Sequence, residues 1–415
     1  MPYIKFIHIA FLLVPFLGFG AQFDTSQRIT LDSTILQEKR TLQILLPENY
    51  QSNTSSTYPV IYLLDGDFNF HGVSGMLDML SNKSELIPNV ILVAIADNGT
   101  EKYREYMTPN NSNSPGKGNA GAADIFLNYL NNEVQPYIDS HYRTAEHSTL
   151  VGHSVGGLFV LNSLLNAPES FNNYVAVSPS VWVSDNAIVS QANKLLGKTQ
   201  HSPVSLYLSL GDEMQMHQYD FIHELDAKPI PNLNWHFQHY PDENHGSVIL
   251  IALRDSLKHI FKGWHVPERI LEQNTPSATI DYYLTIQKEL KIKQPIPASV
   301  FHIVIRQHYR QKKAEALPQF IAKAIKQSPV SKQTLLIKYA SFVEHYESPS
   351  AALAILKKSE SEFSHSIDYL KAIASTYSQL KDPEKTKKYY QKALELAKEQ
   401  NVNQWQLNIL EAKIH

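Results

Sequence analysis

The sequence predicts an α/β fold, in which a mostly parallel sheet is covered by helices, followed by an all-α C-terminal domain with a repeat-like pattern. Two observations indicate the α/β part: its apolar runs are continuous, as in strands buried on both faces, and helical patterns separate them. One observation indicates the second part, since only helical patterns occur after residue 276. The chain has 415 residues, which is too long for one ordinary core, so two domains are expected.

The first twenty residues are predicted to be a cleaved secretory signal peptide. Lys5 gives a positive start, an apolar run occupies residues 6–19, and Gly18 and Gly20 are the small residues at the −3 and −1 positions for cleavage before Ala21. The run is shorter than the roughly 20 residues of a membrane span, and Pro15 interrupts it. We therefore expect a mature protein without a membrane span, either periplasmic or secreted.

The composition excludes several classes of function. The formal net charge of −3 gives no reason to expect nucleic acid or an anionic membrane as a partner. Cysteine is absent, which excludes a thiol nucleophile, a thiolate metal site and disulfide bonds.

The predicted strands and helices of the first domain, residues 21–268, alternate along the chain. An antiparallel pair at a sheet edge is expected over residues 29–36 and 41–46, where apolar and polar residues alternate. Further strands are expected over residues 58–64, 88–95, 148–151, 173–177, 204–210 and 234–240. Helices are expected over residues 122–140, 157–165 and 247–261. Ligands bind at the carboxyl ends of the strands in such sheets.

The second domain, residues 276–415, follows a predicted linker over residues 273–277. Residues 368–377 and 389–393, separated by a turn, have the small and large residues of a tetratricopeptide helix pair. An earlier similar segment lies at about twice the period of that repeat. The pattern favours a short tetratricopeptide-like array, and an unrelated helical bundle is the alternative.

A candidate nucleophile lies between a predicted strand and a predicted helix. Gly152, Ser154 and Gly156 form a Gly-x-Ser-x-Gly pattern, which is typical of a sharp turn that holds a serine hydroxyl above a sheet. Side chains at the two glycine positions would meet the neighbouring strand and helix.

The serine needs an imidazole base and a carboxylate that orients the imidazole, in the order Ser, acid, His. Among the 18 histidines, His245 lies in a loop after the last predicted strand, so it is the expected base. The acid is Glu213 or its neighbour Asp212, because adjacent side chains point apart and one alone can reach the imidazole. The backbone N–H groups of Val155 and Asp67 are expected to form the oxyanion hole, with Gly66 making the turn before Asp67.

Residues 25–265 resemble the esterase family of α/β-hydrolases that includes esterase D, feruloyl and acetyl-xylan esterases, and enterochelin esterase-like proteins. Within this family the chain is most similar to the siderophore-esterase-like branch. The likeness rests on six stretches: residues 62–66, 103–109, 152–157, 178–182, 211–213 and 241–248. The resemblance implies the α/β-hydrolase fold, with the nucleophile at Ser154 and the base at His245, and favours Glu213 as the acid. It also suggests Arg104 and Trp182 as substrate contacts. Alternatively, Arg104 forms a salt bridge that fixes a loop, and Trp182 is a packed aromatic ring.

The expected function is hydrolysis of a small-molecule carboxylic ester through an acyl-enzyme, with a siderophore-type or small ester as substrate. No metal and no organic cofactor is required by this chemistry. Two alternatives stay open: a feruloyl or acetyl esterase that acts on plant polysaccharide, and a non-catalytic protein that binds a partner through its helical domain. A homodimer or a protein partner at the helical domain is also compatible with the sequence.

Overall fold

The computed structural model describes residues 26–97, 101–110, 121–195, 203–227 and 230–414. The predicted signal peptide lies outside these ranges, and its prediction stays untested. Within the described ranges, no helix has the length and apolar character that crossing a membrane requires.

The described residues form one sheet of eight strands in the order β1-β2-β4-β3-β5-β6-β7-β8. The strands are β1 (Gln27–Ser33), β2 (Glu38–Leu45), β3 (Tyr58–Leu63), β4 (Ile91–Ile95), β5 (Thr144–His153), β6 (Asn173–Val177), β7 (Val204–Leu210) and β8 (Leu233–His239). β2 pairs antiparallel with β1 and β4, and the pairs from β4 to β8 are parallel. The mostly parallel α/β-hydrolase sheet predicted from the sequence is confirmed.

Helices cover both faces of the sheet. They are α1 (Gly66–Leu77), α2 (Glu101–Met107), α3 (Ala123–Tyr129), α4 (Gln135–His141), α5 (Val155–Asn166), α6 (Val183–Leu195), α7 (Gln218–Ala227) and α8 (Val248–Ile260). Side chains alternate along β3, so Tyr62 faces a core that contains Phe126 and Phe159, while Leu63 faces a core that contains Phe70 and Leu253. The helix predicted over residues 122–140 is α3 and α4, joined by a π-helical turn over Leu130–Val134.

The sheet register aligns the carboxyl ends of the parallel strands at one edge. Val151 of β5 pairs with Leu63 of β3, and His153 pairs with Val177 of β6. Val177 in turn pairs with Ser209 of β7. Each of these strands is followed directly by a residue or loop that the sequence singles out, so the fold brings those residues to the same edge.

The remaining helices form the helical segment, residues 268–414, with its own apolar core. They are α9 (Glu268–Leu271), α10 (Pro276–Glu289), α11 (Ala298–Arg310), α12 (Leu317–Gln327), α13 (Lys332–Tyr346), α14 (Pro349–Lys357), α15 (Ile367–Gln379), α16 (Pro383–Glu399) and α17 (Gln404–Ala412). An all-α C-terminal part is therefore confirmed, whereas its tetratricopeptide-like character stays a prediction. The expected linker over residues 273–277 contains the start of α10, because Thr275 caps that helix and Pro276 is its first residue.

The helical segment contacts the amino ends of the parallel strands. Thr57, directly before β3, forms an isolated antiparallel bridge with Lys293. The Gln294 side chain donates to the Asn89 carbonyl at 2.7 Å and accepts from the Asn89 N–H at 2.9 Å, just before β4. Glu85 accepts from the first two N–H groups of α11, at 2.8 and 3.1 Å. This edge of the sheet is opposite the carboxyl ends of the strands.

Candidate active site

Ser154 occupies the sharp turn between β5 and α5. Its backbone has φ 58° and ψ −119°, and a positive φ is uncommon for a residue that has a side chain. Its N–H donates to the Val177 carbonyl at 3.0 Å, which fixes the turn against β6. The turn holds Ser154 at the N-terminus of a twelve-residue helix, whose dipole favours negative charge there.

The glycines beside Ser154 are required by close packing. A Cβ at Gly152 would lie 2.3 Å from the Gly156 carbonyl oxygen. A Cβ at Gly156 would lie 2.9 Å from Oδ2 of Asp65, and one at Gly157 would lie 3.0 Å from Cα of Pro179. The clash expected from the sequence is therefore present on both sides of the turn.

Glu213 and His245 meet at the carboxyl edge of the sheet. Nδ1 of His245 lies 2.5 Å from Oε2 of Glu213, which is typical of a short, charge-assisted hydrogen bond. The Glu213 side chain is 8% exposed and the His245 side chain 43% exposed, so the carboxylate is buried while the imidazole is open to solvent. Because Nδ1 donates to the carboxylate, Nε2 is the nitrogen that can accept a proton.

Asp212, the alternative acid, contacts the loop that carries His245 through its backbone. It is exposed, and its N–H donates to the Glu243 carbonyl at 2.6 Å. This backbone bond joins the loop after β7 to the loop that carries His245. Asp212 thus helps to hold the two loops together, while the carboxylate in contact with His245 is that of Glu213.

Three residues that were not assigned a role from the sequence complete the site. The buried Ser178 donates to Oε1 of Glu213 at 2.6 Å, and the buried Ser180 places Oγ 3.2 Å from Oγ of Ser154. The His153 ring lies 4.5 Å from the His245 ring, centroid to centroid. Since His153 precedes Ser154 directly, this contact places the imidazole of His245 beside the serine turn. Ser178 and Ser180 lie in residues 178–182, one of the six stretches that resemble the esterase family, and this resemblance was the sequence signal that could have identified them.

His153 is neutral at neutral pH. Burial, reinforced by the positive charge that His245 can carry, lowers the pKa of His153 to about 4. A neutral ring can therefore pack against His245 without repelling an imidazolium there.

The predicted oxyanion donors lie in the first turns of two helices. Val155 is the first residue of α5, and Asp67 is the second residue of α1. The assignment of the turn to Gly66 is wrong, because the left-handed residue is Asp65, with φ 53°. Aspartate tolerates this conformation better than most residues. Gly66 is needed for another reason, since a Cβ there would lie 2.8 Å from the Ile95 carbonyl oxygen.

Arg104 and Trp182 both have exposed side chains near this edge. Arg104 lies on α2, and its positive charge acts on the carboxyl of Asp65. Trp182 is 50% exposed and follows Ser180 by two residues. Neither environment is that of a packed core side chain, and their roles as substrate contacts stay predictions.

The arrangement can perform acyl transfer, because it combines a strained serine, an imidazole and a buried carboxylate at one edge. Among the residues that the structure describes, no group of three His, Asp or Glu side chains could hold a metal ion.

Comparison with known proteins agrees with this fold and with ester chemistry. Residues 33–237 match the model of the family described as Putative esterase. The ferri-bacillibactin esterase BesA of Bacillus subtilis is 26% identical over 56% of this chain and 91% of its own length.

Solved structures extend the likeness to the helical segment. An IroE-like serine hydrolase from Shewanella oneidensis superposes with a TM-score of 0.60 at 26% identity, over 72% of this chain and 98% of its own. An uncharacterised protein from Capnocytophaga ochracea superposes with a TM-score of 0.56 at 17% identity, over 93% of this chain and 99% of its own, which shows the fold alone. Through residues 33–237 the chain is similar to the Putative esterase family, and it is a carboxylic-ester hydrolase.

Proposed function

We propose that the protein is a serine esterase that works through a Ser154–Glu213–His245 triad and an acyl-enzyme. The observation that carries the proposal is the 2.5 Å contact between Glu213 and His245, at the sheet edge where Ser154 holds its strained backbone. The chain order Ser, acid, His is the order of α/β-hydrolases.

In this mechanism Ser154 Oγ attacks the ester carbonyl carbon while Nε2 of His245 takes the hydroxyl proton. The resulting oxyanion accepts hydrogen bonds from the N–H groups of Val155 and Asp67, and each such donor is worth roughly 3–4 kcal/mol. The imidazolium then gives its proton to the leaving alkoxide, and the C–O bond of the ester breaks. Water attacks the acyl-enzyme by the same route and releases the acid. Glu213 keeps the proton on Nδ1 and stabilises the imidazolium.

The substrate proposed is a siderophore-type ester, such as a catecholate trilactone. One line of support is the similarity to BesA, which is named as a ferri-bacillibactin esterase. A second is that the side chains of Arg104 and Trp182 are exposed near the site. A guanidinium suits a phenolate or carboxylate, and an indole ring suits an aromatic acyl group. The proposed location is the periplasm or the exterior, on the basis of the predicted signal peptide.

The test compares wild type, Ser154→Ala and His245→Ala on a small chromogenic ester. Both variants should lose activity by a factor of roughly 10⁴ or more, with circular dichroism unchanged. His239→Ala is the matched control, because His239 is an exposed histidine at the end of β8 and should leave turnover unchanged. A fluorophosphonate should label wild type but not Ser154→Ala. Full turnover by Ser154→Ala would overturn the triad.

The substrate class needs a separate screen. Short acyl esters, feruloyl esters and a catecholate trilactone are compared by kcat/KM with the same enzyme. The highest value is expected for the trilactone. A preference for feruloyl or acetyl esters would support action on plant polysaccharide instead.

A further inference from the structure

Ser178 has a backbone that is unfavourable for serine. It follows β6 directly, is fully buried and has φ 40°, in the left-handed region that favours glycine. Its N–H donates to the Ser209 carbonyl at 2.9 Å, which fixes the turn against β7. A side chain at such a position costs conformational energy, so its contacts are of interest.

The hydroxyl of Ser178 contacts the carboxylate of Glu213. It donates to Oε1 at 2.6 Å, and the same oxygen lies 3.3 Å from the N–H of Gly211. The other oxygen, Oε2, receives the hydrogen bond from His245. Both oxygens of the carboxylate therefore have a protein donor, and burial of Ser178 leaves little room for water to replace it.

We propose that Ser178 is a positioning residue that orients the Glu213 carboxylate toward Nδ1 of His245. This inference rests on the proposed function of the triad. The Glu213 side chain has three rotatable bonds, and the contact at Oε1 selects the orientation in which Oε2 reaches the imidazole. With Oε1 occupied by the Ser178 hydroxyl, Oε2 is the oxygen that accepts from Nδ1 of His245, and Nε2 is left free to act as the base.

Two substitutions separate the hydroxyl from the backbone. Ser178→Ala removes the hydroxyl and keeps a Cβ at positive φ, while Ser178→Gly removes the hydroxyl and relieves that conformation. Both should lower kcat about 10- to 100-fold, the range for loss of a hydrogen bond to a charged group, with KM unchanged. Ser178→Gly should unfold at a temperature no lower than Ser178→Ala.

Ser209→Ala is the matched control. Ser209 is also fully buried at the end of the neighbouring strand, and its hydroxyl has no hydrogen-bond partner among the residues that the structure describes. Its loss should leave kcat within about twofold of wild type, because no hydrogen bond is broken.

A double-mutant cycle distinguishes positioning from packing. In a Glu213→Ala background, Ser178→Ala should change kcat by less than about twofold, because the carboxylate it orients is gone. Losses that multiply, or wild-type kcat in both Ser178 variants, would overturn the inference. If Glu213→Ala itself keeps full turnover, the result refutes the proposed triad rather than the role of Ser178 within it.

Discussion

The carboxyl of Asp65 is expected to make the protein less stable as the pH rises. Asp65 follows β3 and is half-buried. Its Oδ2 packs closely against Gly156, since a Cβ on that glycine would lie only 2.9 Å from it. Burial, and then the negative charge of Asp97, raise its pKa from 3.8 to about 7. A hydrogen bond from Tyr103 and the positive charge of Arg104 act in the opposite direction.

The size of the effect follows from the two pKa values. Below about pH 3, Asp65 is protonated in both the folded and the unfolded chain and adds no pH dependence to the free energy of unfolding. Between about pH 4 and 7 the unfolded chain loses this proton and the folded protein keeps it, so the free energy of unfolding falls with rising pH. About three pKa units correspond to at most about 4 kcal/mol, and the loss is complete above about pH 8.

The substitution Asp65→Asn tests this reasoning. Asparagine has the same shape, tolerates a positive φ and carries no charge. Urea unfolding between pH 5 and 8.5 should show a decline in wild type that exceeds the decline in the variant by up to about 3 kcal/mol. Asp67→Asn is the control, because Asp67 is an exposed carboxylate two residues away. Parallel pH curves for wild type and Asp65→Asn would refute the reasoning.

Three further predictions concern the site and the helical segment. Glu213→Gln should lower kcat roughly 10³- to 10⁴-fold, because an amide N–H facing His245 selects the wrong tautomer, while Asp212→Asn should leave kcat nearly unchanged. Equal losses in steady-state assays would contradict this choice of acid. Arg104→Ala should raise KM about tenfold for phenolic or acidic esters but not for a neutral acetate ester, and an unchanged KM for all of them would exclude a contact. Gln294→Ala should lower the free energy of unfolding by about 2–3 kcal/mol with kcat/KM unchanged, and altered turnover of bulky esters alone would indicate a lid.

The sequence located the strands and the edge that carries the site. Continuous apolar runs identified β3 to within a residue and β4 with a start three residues too early, because strands buried on both faces need apolar side chains on both. Polar residues directly after these runs marked the carboxyl edge. Ser154 and His245 could be chosen for this reason, since the strand ends that precede them are unambiguous.

The choice between Asp212 and Glu213 could not be made from the residues alone. The choice depends on the path of the loop after β7. That path is fixed by the hydrogen bond from the Asp212 N–H to the carbonyl of Glu243, which lies in the loop after β8. The contact from Ser178 to Glu213 spans 35 residues of sequence and was equally invisible. The positive φ of Asp65 was missed because the neighbouring glycine was the better statistical candidate for a left-handed turn.

The position of the helical segment bears on whether it could act as a lid over the active site. A lid must reach the carboxyl edge, where Ser154 lies. The contacts of Gln294 and Glu85 hold the segment at the amino ends of the strands, and the six residues of β3 span about 20 Å between the two edges. Gln294 is 1% exposed, so moving the segment to cover Ser154 would leave the half-buried backbone groups of Asn89 without their partners. The geometry therefore favours a segment that supports the sheet from the opposite end and leaves substrate access to the loops around Trp182 and Arg104.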